Sequence, residues 1–251
     1  MRLNSKFKLP KIIGHRGVKD LAPENTLESI LKAFELGLEC VEVDVKISKD
    51  NVPLLIHDDT LDRTTSGAGL VCNYTFDELM NFDAGNFFYK SKTNIKIPSL
   101  SNVLKIVSKN KKYINIELKP NEGFEIINVD KIINEINKFS LDHIFFSSFD
   151  LKSCIRLKEK LPDAQCGFLN DDFSLINPKD TIDICKKYNF ISCGIDLNSF
   201  SKSIINDFIN HNIIITVYSG QNISLNEAKN LWSNNVTSVF VDDPTEYLYK
   251  S

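Results

Sequence analysis

The stretch that decides the fold is residues 12–69, IIGHRGVKDLAPENTLESILKAFELGLECVEVDVKISKDNVPLLIHDDTLDRTTSGAG. It opens with a short apolar strand, KIIGH, which ends at His15 and Arg16. The next strand, VEVDV, places Glu42 and Asp44 on one face because side chains alternate along a strand. Burying ionisable groups is costly unless they are paired, so we expect these strand ends to meet at a functional site.

Two later segments add side chains of the same kind. His57 closes the apolar run PLLIH, and the strand YINIELKP places Asn115, Glu117 and Lys119 on one face. In a barrel of parallel strands, functional groups gather at the carboxyl ends of the strands. We therefore expect all of these residues to face one site.

The side chains at these strand ends offer three kinds of chemistry. Three are carboxylates, which suit a hard divalent cation, Ca²⁺ or Mg²⁺, better than zinc: Glu42, Asp44 and Glu117. Arg16 and Lys119 are cations suited to a phosphate. His15 and His57 can serve as general acid and general base near neutral pH. Together these groups predict cleavage of a phosphate ester.

Strand-like and helix-like segments alternate along the chain in about eight β-then-α units. This pattern predicts a (β/α)₈ TIM barrel, for which 251 residues is an ordinary length. A doubly wound open sheet alternates in the same way. The barrel is favoured because chemistry appears at several strand ends and no GxGxxG follows the first strand. We expect a single catalytic domain over residues 1–251.

The stretch at about 60–98 is too long for a plain loop between a strand and a helix. We interpret it as a small insertion after the second strand, lying over the barrel mouth. Its aromatic side chains either form a satellite core or also line the substrate pocket: Phe82, Phe87, Phe88 and Tyr89.

Three local predictions accompany this assignment. Asn25 is expected to cap the helix NTLESILKAFELG. Asp62 and Arg63 are expected to form an ion pair within the insertion. Asp196 and Asp242 end later strands, and a structural position is favoured over a role in the pocket for both.

Composition limits the class of partner. The formal net charge of −3 gives no basic footprint for nucleic acid, and no apolar run reaches membrane-spanning length. The start, MRLNSKFKLPK, lacks the apolar core of a signal peptide. Six scattered cysteines without a CxxC pair are typical of buried free thiols. We expect a cytoplasmic protein without a transmembrane segment, and the oligomeric state is left open.

The motifs resemble those of the glycerophosphodiester phosphodiesterase family. The matching segments follow one another from the first strand to the last: GHRG (14–17), APENT (22–26), VEVDV (41–45), PLLIHDDTLDRTT (53–65), DAG (83–85), IPSL (97–100), NIELK (115–119), SSFD (147–150), and more weakly ITVYS (215–219) and FVDDP (240–244). Each motif is short, but their joint order is specific.

The resemblance implies a (β/α)₈ barrel and metal-dependent hydrolysis of glycerophosphodiesters to glycerol 3-phosphate and an alcohol. By motif, it implies the following roles: metal ligands Glu42, Asp44 and Glu117; acid and base His15 and His57; phosphate contacts Arg16 and Lys119. Tyr218 stands where the family often has a tryptophan, which keeps an aromatic wall and adds a hydroxyl. The preferred head group is left open.

Several alternatives stay open at this point. A relative acting on lysophospholipids or other phosphodiesters would want an apolar groove or a membrane-facing surface. A catalytically silent barrel that binds phosphodiesters would be expected to lack a histidine or an acid of the set. An unrelated barrel enzyme acting on sugar phosphates is disfavoured by the paired histidines with three acids. Also open are the choice between Ca²⁺ and Mg²⁺, the assignment of acid and base, and attack by water or through a cyclic intermediate.

Overall fold

The computed structural model describes residues 9–248. The prediction for the start of the chain, MRLNSKFKLPK, falls mostly outside the described residues, as do the last three residues of the sequence. Within residues 9–248, no helix is both long and apolar enough to span a bilayer.

The strands of the described chain are nine: β1 (Ile12–Gly14), β2 (Cys40–Ile47), β3 (Pro53–Leu55), β4 (Tyr113–Leu118), β5 (Ile144–Ser148), β6 (Cys166–Asn170), β7 (Ser192–Asp196), β8 (Ile214–Tyr218) and β9 (Ser238–Val241). All except β3 are parallel to their neighbours and follow one another around a ring. The pairing of Gly14 with Val41 closes the ring between β1 and β2. The predicted (β/α)₈ barrel is therefore confirmed, and the open sheet is excluded.

The helices cover the outside of this ring or lie in the segment between β2 and β4: α1 (Leu27–Glu35), α2 (Phe76–Leu79), α3 (Asn86–Tyr89), α4 (Leu100–Lys109), α5 (Glu125–Ile136), α6 (Leu151–Lys160), α7 (Pro178–Tyr188), α8 (Lys202–Asn210), α9 (Leu225–Ser233) and α10 (Thr245–Leu248). Short 3₁₀ helices occupy Val71–Asn73, Leu141–His143 and Leu197–Ser199.

The main core lies between the strands and the surrounding helices. Strand β2 is buried over its whole length, and Val41, Val43 and Val45 belong to the same core as Ile30 of α1. Each fully buried aliphatic side chain of this kind contributes about 1.5–3 kcal/mol to stability. Because side chains alternate, this packing fixes the opposite face of β2, which carries the acids of VEVDV, toward the inside of the barrel.

Strand β3 does not belong to the ring. It is antiparallel to β2, with Leu55 opposite Val45 and Pro53 opposite Ile47. The chain therefore runs past the end of β2, turns, and returns toward the barrel mouth. His57 reaches the mouth by this return, and not from the carboxyl end of a barrel strand as the other site residues do.

The segment between β2 and α4 has a small core of its own. This second core contains Leu54, Ile56, Leu61, Val71, Leu79, Ala84 and Ile97, with Phe82 packed against it. Phe87, Phe88 and Tyr89 are exposed to solvent. The satellite-core interpretation therefore describes Phe82 and not the other three aromatic residues.

The start of α1 differs from the prediction by one residue. Thr26, and not Asn25, caps the helix by accepting a hydrogen bond from the backbone N–H of Ser29 at 3.2 Å. Asn25 has a left-handed backbone with φ of +56°. Its side chain instead pairs with Asp44, donating from Nδ2 at 2.8 Å and accepting from the backbone N–H at 3.0 Å. Because the Asn25 side chain is hydrogen-bonded to Asp44, the neighbouring Thr26 caps the helix instead.

Candidate active site

A tight turn after β1 sets the position of the first two functional side chains, His15 and Arg16. Arg16 and Gly17 both have positive φ, +51° and +87°. A Cβ on Gly17 would lie 2.3 Å from the Ser29 hydroxyl, so the close approach to α1 requires glycine. The turn aims the backbone N–H of Arg16 at Glu42, where it donates to Oε2 at 2.9 Å.

Three buried carboxylates meet at the base of the mouth. Glu42 and Asp44 come from β2, and Glu117 lies opposite Asp44 on β4. Oxygen atoms of the three groups all lie within 4.8 Å of one another. Glu42 Oε1 is buried and has no hydrogen-bond partner among residues 9–248. The structure thus brings together the three acids that the sequence analysis selected, and their all-oxygen donor set fits a hard divalent cation.

The charges of this cluster are only partly balanced. Burial and the charge of Asp44 raise the pKa of Glu42 well above its usual range, and the same causes raise the pKa of Glu117 to about 7. Burial acts in the same direction on Asp44, but the positive charges of Arg16 and Lys119 outweigh it and lower the pKa of that carboxyl. Two carboxyl groups therefore resist ionisation until further positive charge enters the site.

Both predicted phosphate-binding cations lie against this cluster. Lys119 Nζ is 3.0 Å from Glu117 Oε1 and 3.5 Å from Asp44 Oδ1. Arg16 Nη1 is 2.8 Å from Glu24 Oε1, and its Nε is 3.3 Å from Asp44 Oδ2. The two cations face the cavity while paired with acids, a position from which they can also contact a bound anion.

His15 is held by an acid that directly follows the last strand. Its Nδ1 lies 2.7 Å from Asp242 Oδ1, and Lys19 Nζ lies 2.9 Å from Asp242 Oδ2. Because Nδ1 is engaged, Nε2 is the nitrogen left for chemistry. Burial lowers the pKa of His15, although the hydrogen bond to Asp242 opposes it. Sequence reasoning undervalued Asp242; the available signal was an acid directly after the last apolar strand.

His57 is held in a similar way, by its neighbour in the chain. Its Nδ1 lies 2.6 Å from Asp58 Oδ1, and Arg63 Nε lies 2.6 Å from Asp58 Oδ2. Burial lowers the pKa of His57. Arg63 also contacts Glu24 through Nη1 at 2.7 Å, and Glu24 in turn binds Arg16. A continuous set of ion pairs therefore connects His57, after β3, with Arg16, after β1.

This network corrects the predicted ion pair in the insertion. Arg63 is engaged with Asp58 and Glu24, whereas Asp62 accepts a hydrogen bond from the backbone N–H of Gly69 at 2.9 Å. The prediction of an Asp62–Arg63 pair is wrong because the arginine side chain reaches across to acids at the mouth.

A cavity of about 330 Å³ opens above the carboxylates, a size suited to a small molecule. The predicted site residues in its wall are His15, Arg16, Glu42, His57, Glu117, Lys119 and Tyr218. The Tyr218 hydroxyl is buried and has no hydrogen-bond partner in the described part of the chain, and its ring meets that of Phe149 edge to face. The aromatic residues of the insertion are not in the cavity wall, so the expectation that they also line the pocket is not met.

Comparisons with known proteins agree with this arrangement. The chain matches the glycerophosphoryl diester phosphodiesterase family over residues 15–246. A glycerophosphodiester phosphodiesterase of Bacillus altitudinis is 28% identical over 94% of this chain and 96% of that enzyme. Another, from Caldanaerobacter subterraneus, is 34% identical over 63% of this chain, and the match spans 65% of that enzyme.

Solved structures show the same fold. An Oleispira antarctica phosphodiesterase in complex with the product sn-glycerol-3-phosphate has a TM-score of 0.88 and 27% identity, covering 97% of this chain and 98% of that chain. A Thermotoga maritima glycerophosphodiester phosphodiesterase has a TM-score of 0.75 and 26% identity, covering 97% and 99%. The fold and the site at the barrel mouth thus define this chain as a phosphodiesterase. More narrowly, the chain belongs to the glycerophosphoryl diester phosphodiesterase family.

Proposed function

We propose that this protein hydrolyses glycerophosphodiesters to glycerol 3-phosphate and an alcohol, using a divalent metal, Ca²⁺ or Mg²⁺, and two histidines. The observation that carries the proposal is that His15 and His57 line the same cavity as the carboxylate cluster. The product bound in the Oleispira antarctica structure and the activity named for the Bacillus altitudinis relative support the choice of substrate.

The residues that would hold the metal are Glu42, Asp44 and Glu117. A bound divalent ion supplies positive charge that stabilises negative charge building on the phosphoryl oxygens. Arg16 and Lys119 would contact the phosphate from the same end of the cavity, where their charges act in the same direction. Their pairing with acids keeps both side chains in place before substrate arrives.

His15 and His57 would move the protons. One imidazole accepts the proton of the attacking hydroxyl, and the other donates a proton to the alcohol oxygen as its bond to phosphorus breaks. Asp242 and Asp58 accept from Nδ1 of the two rings, so Nε2 of each ring is left for proton transfer, and each carboxylate opposes the lowering of the ring's pKa by burial. The same two residues serve whether water attacks directly or the glycerol hydroxyl attacks first.

The identity of the products tests this proposal. Glycerophosphocholine incubated with the protein and a divalent metal should give glycerol 3-phosphate and choline. The phosphorus-containing product is identified by ³¹P NMR. Formation of choline phosphate and glycerol would show that the other ester bond is cleaved and would contradict the proposal. Turnover of bis(p-nitrophenyl) phosphate without turnover of any glycerol diester would also contradict the proposal.

We expect the stabilisation given by Ca²⁺ to increase between pH 5 and pH 8. Glu42 and Glu117 have folded-state pKa values above those of the unfolded chain. The contribution of Glu117 to the stability of the metal-free protein is therefore present at low pH and is lost as pH rises through about 7, and the contribution of Glu42 also falls as pH rises. Because metal binds the ionised carboxylates, it offsets this loss most at high pH.

Thermal unfolding with and without Ca²⁺ at several pH values measures this effect. A concentration of about 100 times Kd should raise Tm by roughly 5–10 °C at pH 8, and by much less at pH 5. A shift that is constant with pH, or is largest at pH 5, would contradict the assignment of these carboxylates as ligands.

Tyr218→Ala should raise KM roughly three- to tenfold and leave the metal requirement unchanged. The ring forms part of the cavity wall, away from the carboxylates of β2, so its loss removes contact area and not charge. Tyr218→Phe is the matched variant, since it keeps the ring and removes only the buried hydroxyl. Steady-state kinetics measure both; a fall in kcat of a thousandfold with unchanged KM would contradict a binding role.

We further propose that the protein works in the cytoplasm on a small molecule. All six cysteines are free, and five of them are buried. This pattern is typical of proteins in a reducing compartment. Fractionation of cells that produce the chain tests the location; recovery outside the cytoplasm would contradict it.

A further inference from the structure

The side chains of the mouth divide between two halves of the barrel. The acids, both histidines and the phosphate cations come from β1, β2, β4 and the return after β3. The other half, at the carboxyl ends of β5 to β8, contributes side chains to the cavity wall that neither carry protons nor contact the phosphate in the proposed reaction. Among them are Phe149, Asp171, Asp196 and Tyr218.

Two of these residues form an aromatic corner. Phe149 follows β5 and Tyr218 ends β8, and their ring centroids lie 5.6 Å apart at 82°. Lys119 Nζ lies 5.7 Å from the Phe149 centroid. The corner therefore begins directly beside a phosphate-binding cation, where the second ester group of a bound phosphodiester would lie. Phe149 remains 38% exposed, so its ring is available to a ligand in the cavity.

The other two residues bring negative charge to this corner. Asp171 follows β6, and Asp196 ends β7 directly beside Tyr218 in the pairing of β7 with β8. Burial is the largest cause that raises the pKa of the Tyr218 phenol, and the charges of Asp171 and Asp196 raise it further. These two carboxylates therefore lie near its hydroxyl. Asp196 Oδ1 accepts from the backbone and side chain of Asn198.

No cation of the described residues neutralises these two acids. The cationic side chains of the cavity wall are each paired in the other half of the mouth: Arg16 with Glu24, Lys19 with Asp242, and Lys119 with Glu117. Within residues 9–248, neither Asp171 nor Asp196 lies within ion-pair distance of a lysine, arginine or histidine. Cations paired with acids therefore lie beside the phosphate position, and carboxylates without a cation among the described residues lie beside the aromatic corner.

We propose that the corner formed by Phe149, Asp171, Asp196 and Tyr218 is a subsite for a cationic leaving alcohol, a short amino alcohol with a primary or quaternary ammonium. This inference rests on the proposed function and specifies its substrate class. Aromatic faces and nearby carboxylates attract an ammonium group. A neutral polyol gains nothing from this charge, and an anionic alcohol is repelled by it.

Two esters of glycerol 3-phosphate that differ in charge but scarcely in shape test the subsite. Glycerophosphocholine carries a trimethylammonium group, and the 3,3-dimethylbutyl ester carries a carbon atom in place of its nitrogen. The expected result is a kcat/KM about tenfold higher for the choline ester, the scale of a partly desolvated ammonium at aromatic rings. This preference should shrink as salt is raised, because the carboxylates are partly exposed.

The double variant Asp171→Asn/Asp196→Asn should lower the ratio of the two kcat/KM values roughly threefold, because it removes the carboxylates and keeps the two aromatic rings. The ratio is measured within one protein, so a general loss of folded enzyme does not affect it. Asp183→Asn is the matched control, because it removes one exposed charge from α7, outside the cavity wall. It should leave the ratio at the wild-type value.

The outcomes separate the subsite from the function. Equal kcat/KM on both esters in the wild type, or an unchanged ratio in the double variant, overturns the subsite and leaves the proposed function standing. An equal loss of preference in Asp183→Asn also overturns it, because the effect would then come from net charge. Turnover of neither ester overturns the proposed function, and the subsite with it.

Discussion

His15→Ala and His57→Ala should each lower kcat by roughly two to four orders of magnitude, the range measured for a positioned acid or base. Each substitution removes the Nε2 that, in the proposed reaction, would exchange a proton with the nucleophile or the leaving alcohol. KM should change far less, because the groups that would bind the phosphate and metal remain. The two substitutions together should cost less than the product of their single effects, because both act on one step.

The matched control for this experiment is His211→Ala. His211 is exposed at the end of α8 and does not line the cavity, so kcat should stay within about twofold of the wild type. The wild type should lose activity on both sides of a pH optimum, since the proposed mechanism requires one neutral and one protonated imidazole. Near-normal kcat in either His15→Ala or His57→Ala would show that this histidine is structural.

Glu42→Gln should abolish turnover while leaving the metal-free protein as stable as the wild type or more stable. The substitution keeps the shape of the side chain and removes a charge from a buried cluster whose members repel one another. The variant should therefore show little rise in Tm with Ca²⁺. Loss of function combined with unchanged or increased stability is the signature of a ligand, because a structural acid would show the opposite.

Glu35→Gln provides the comparison for this charge change. Glu35 is an exposed residue at the end of α1, in a long contact of 3.5 Å with Lys32. Its substitution should change neither turnover nor the metal-induced rise in Tm. Activity of Glu42→Gln close to that of the wild type, measured after removal of loosely bound metal, would contradict the proposed coordination.

The barrel could be predicted because its signals are local. In β2, three valines alternate with acids, and this alternation alone fixes which face packs against helices and which faces the mouth. The same reasoning placed Glu117 and Lys119 on one face of β4. The parallel strands of a closed barrel end at the same rim. Local patterns in single strands were therefore sufficient to predict that most of the candidate site residues lie together.

The parts that escaped prediction depend on contacts between distant segments. Asp242 is 227 positions from His15 in the chain, and only closure of the ring between β1 and β9 brings them together. Arg63 reaches Glu24 across 39 positions, which no pattern within the insertion reveals. By residue type, Asn25 suits a helix cap and a partner of Asp44 equally well. In the structure its backbone is left-handed, and its side chain binds Asp44 and does not cap the helix.

The aromatic residues of the insertion show a different limit. Composition alone indicated that Phe82, Phe87, Phe88 and Tyr89 form a cluster, but not which way the cluster faces. Phe82 packs into the second core, and the other three point to solvent. The aromatic wall of the cavity comes instead from Phe149 and Tyr218, on strands that are far apart in the sequence.

The central claim is tested most directly by following glycerol 3-phosphate release from glycerophosphocholine by metal-stripped protein, before and after a divalent ion is restored. The account predicts no release above background in excess chelator, and full release once Ca²⁺ or Mg²⁺ exceeds the chelator. Full release in excess chelator after exhaustive dialysis would contradict the metal requirement. Absence of release with every divalent ion tried would contradict the phosphodiesterase activity itself.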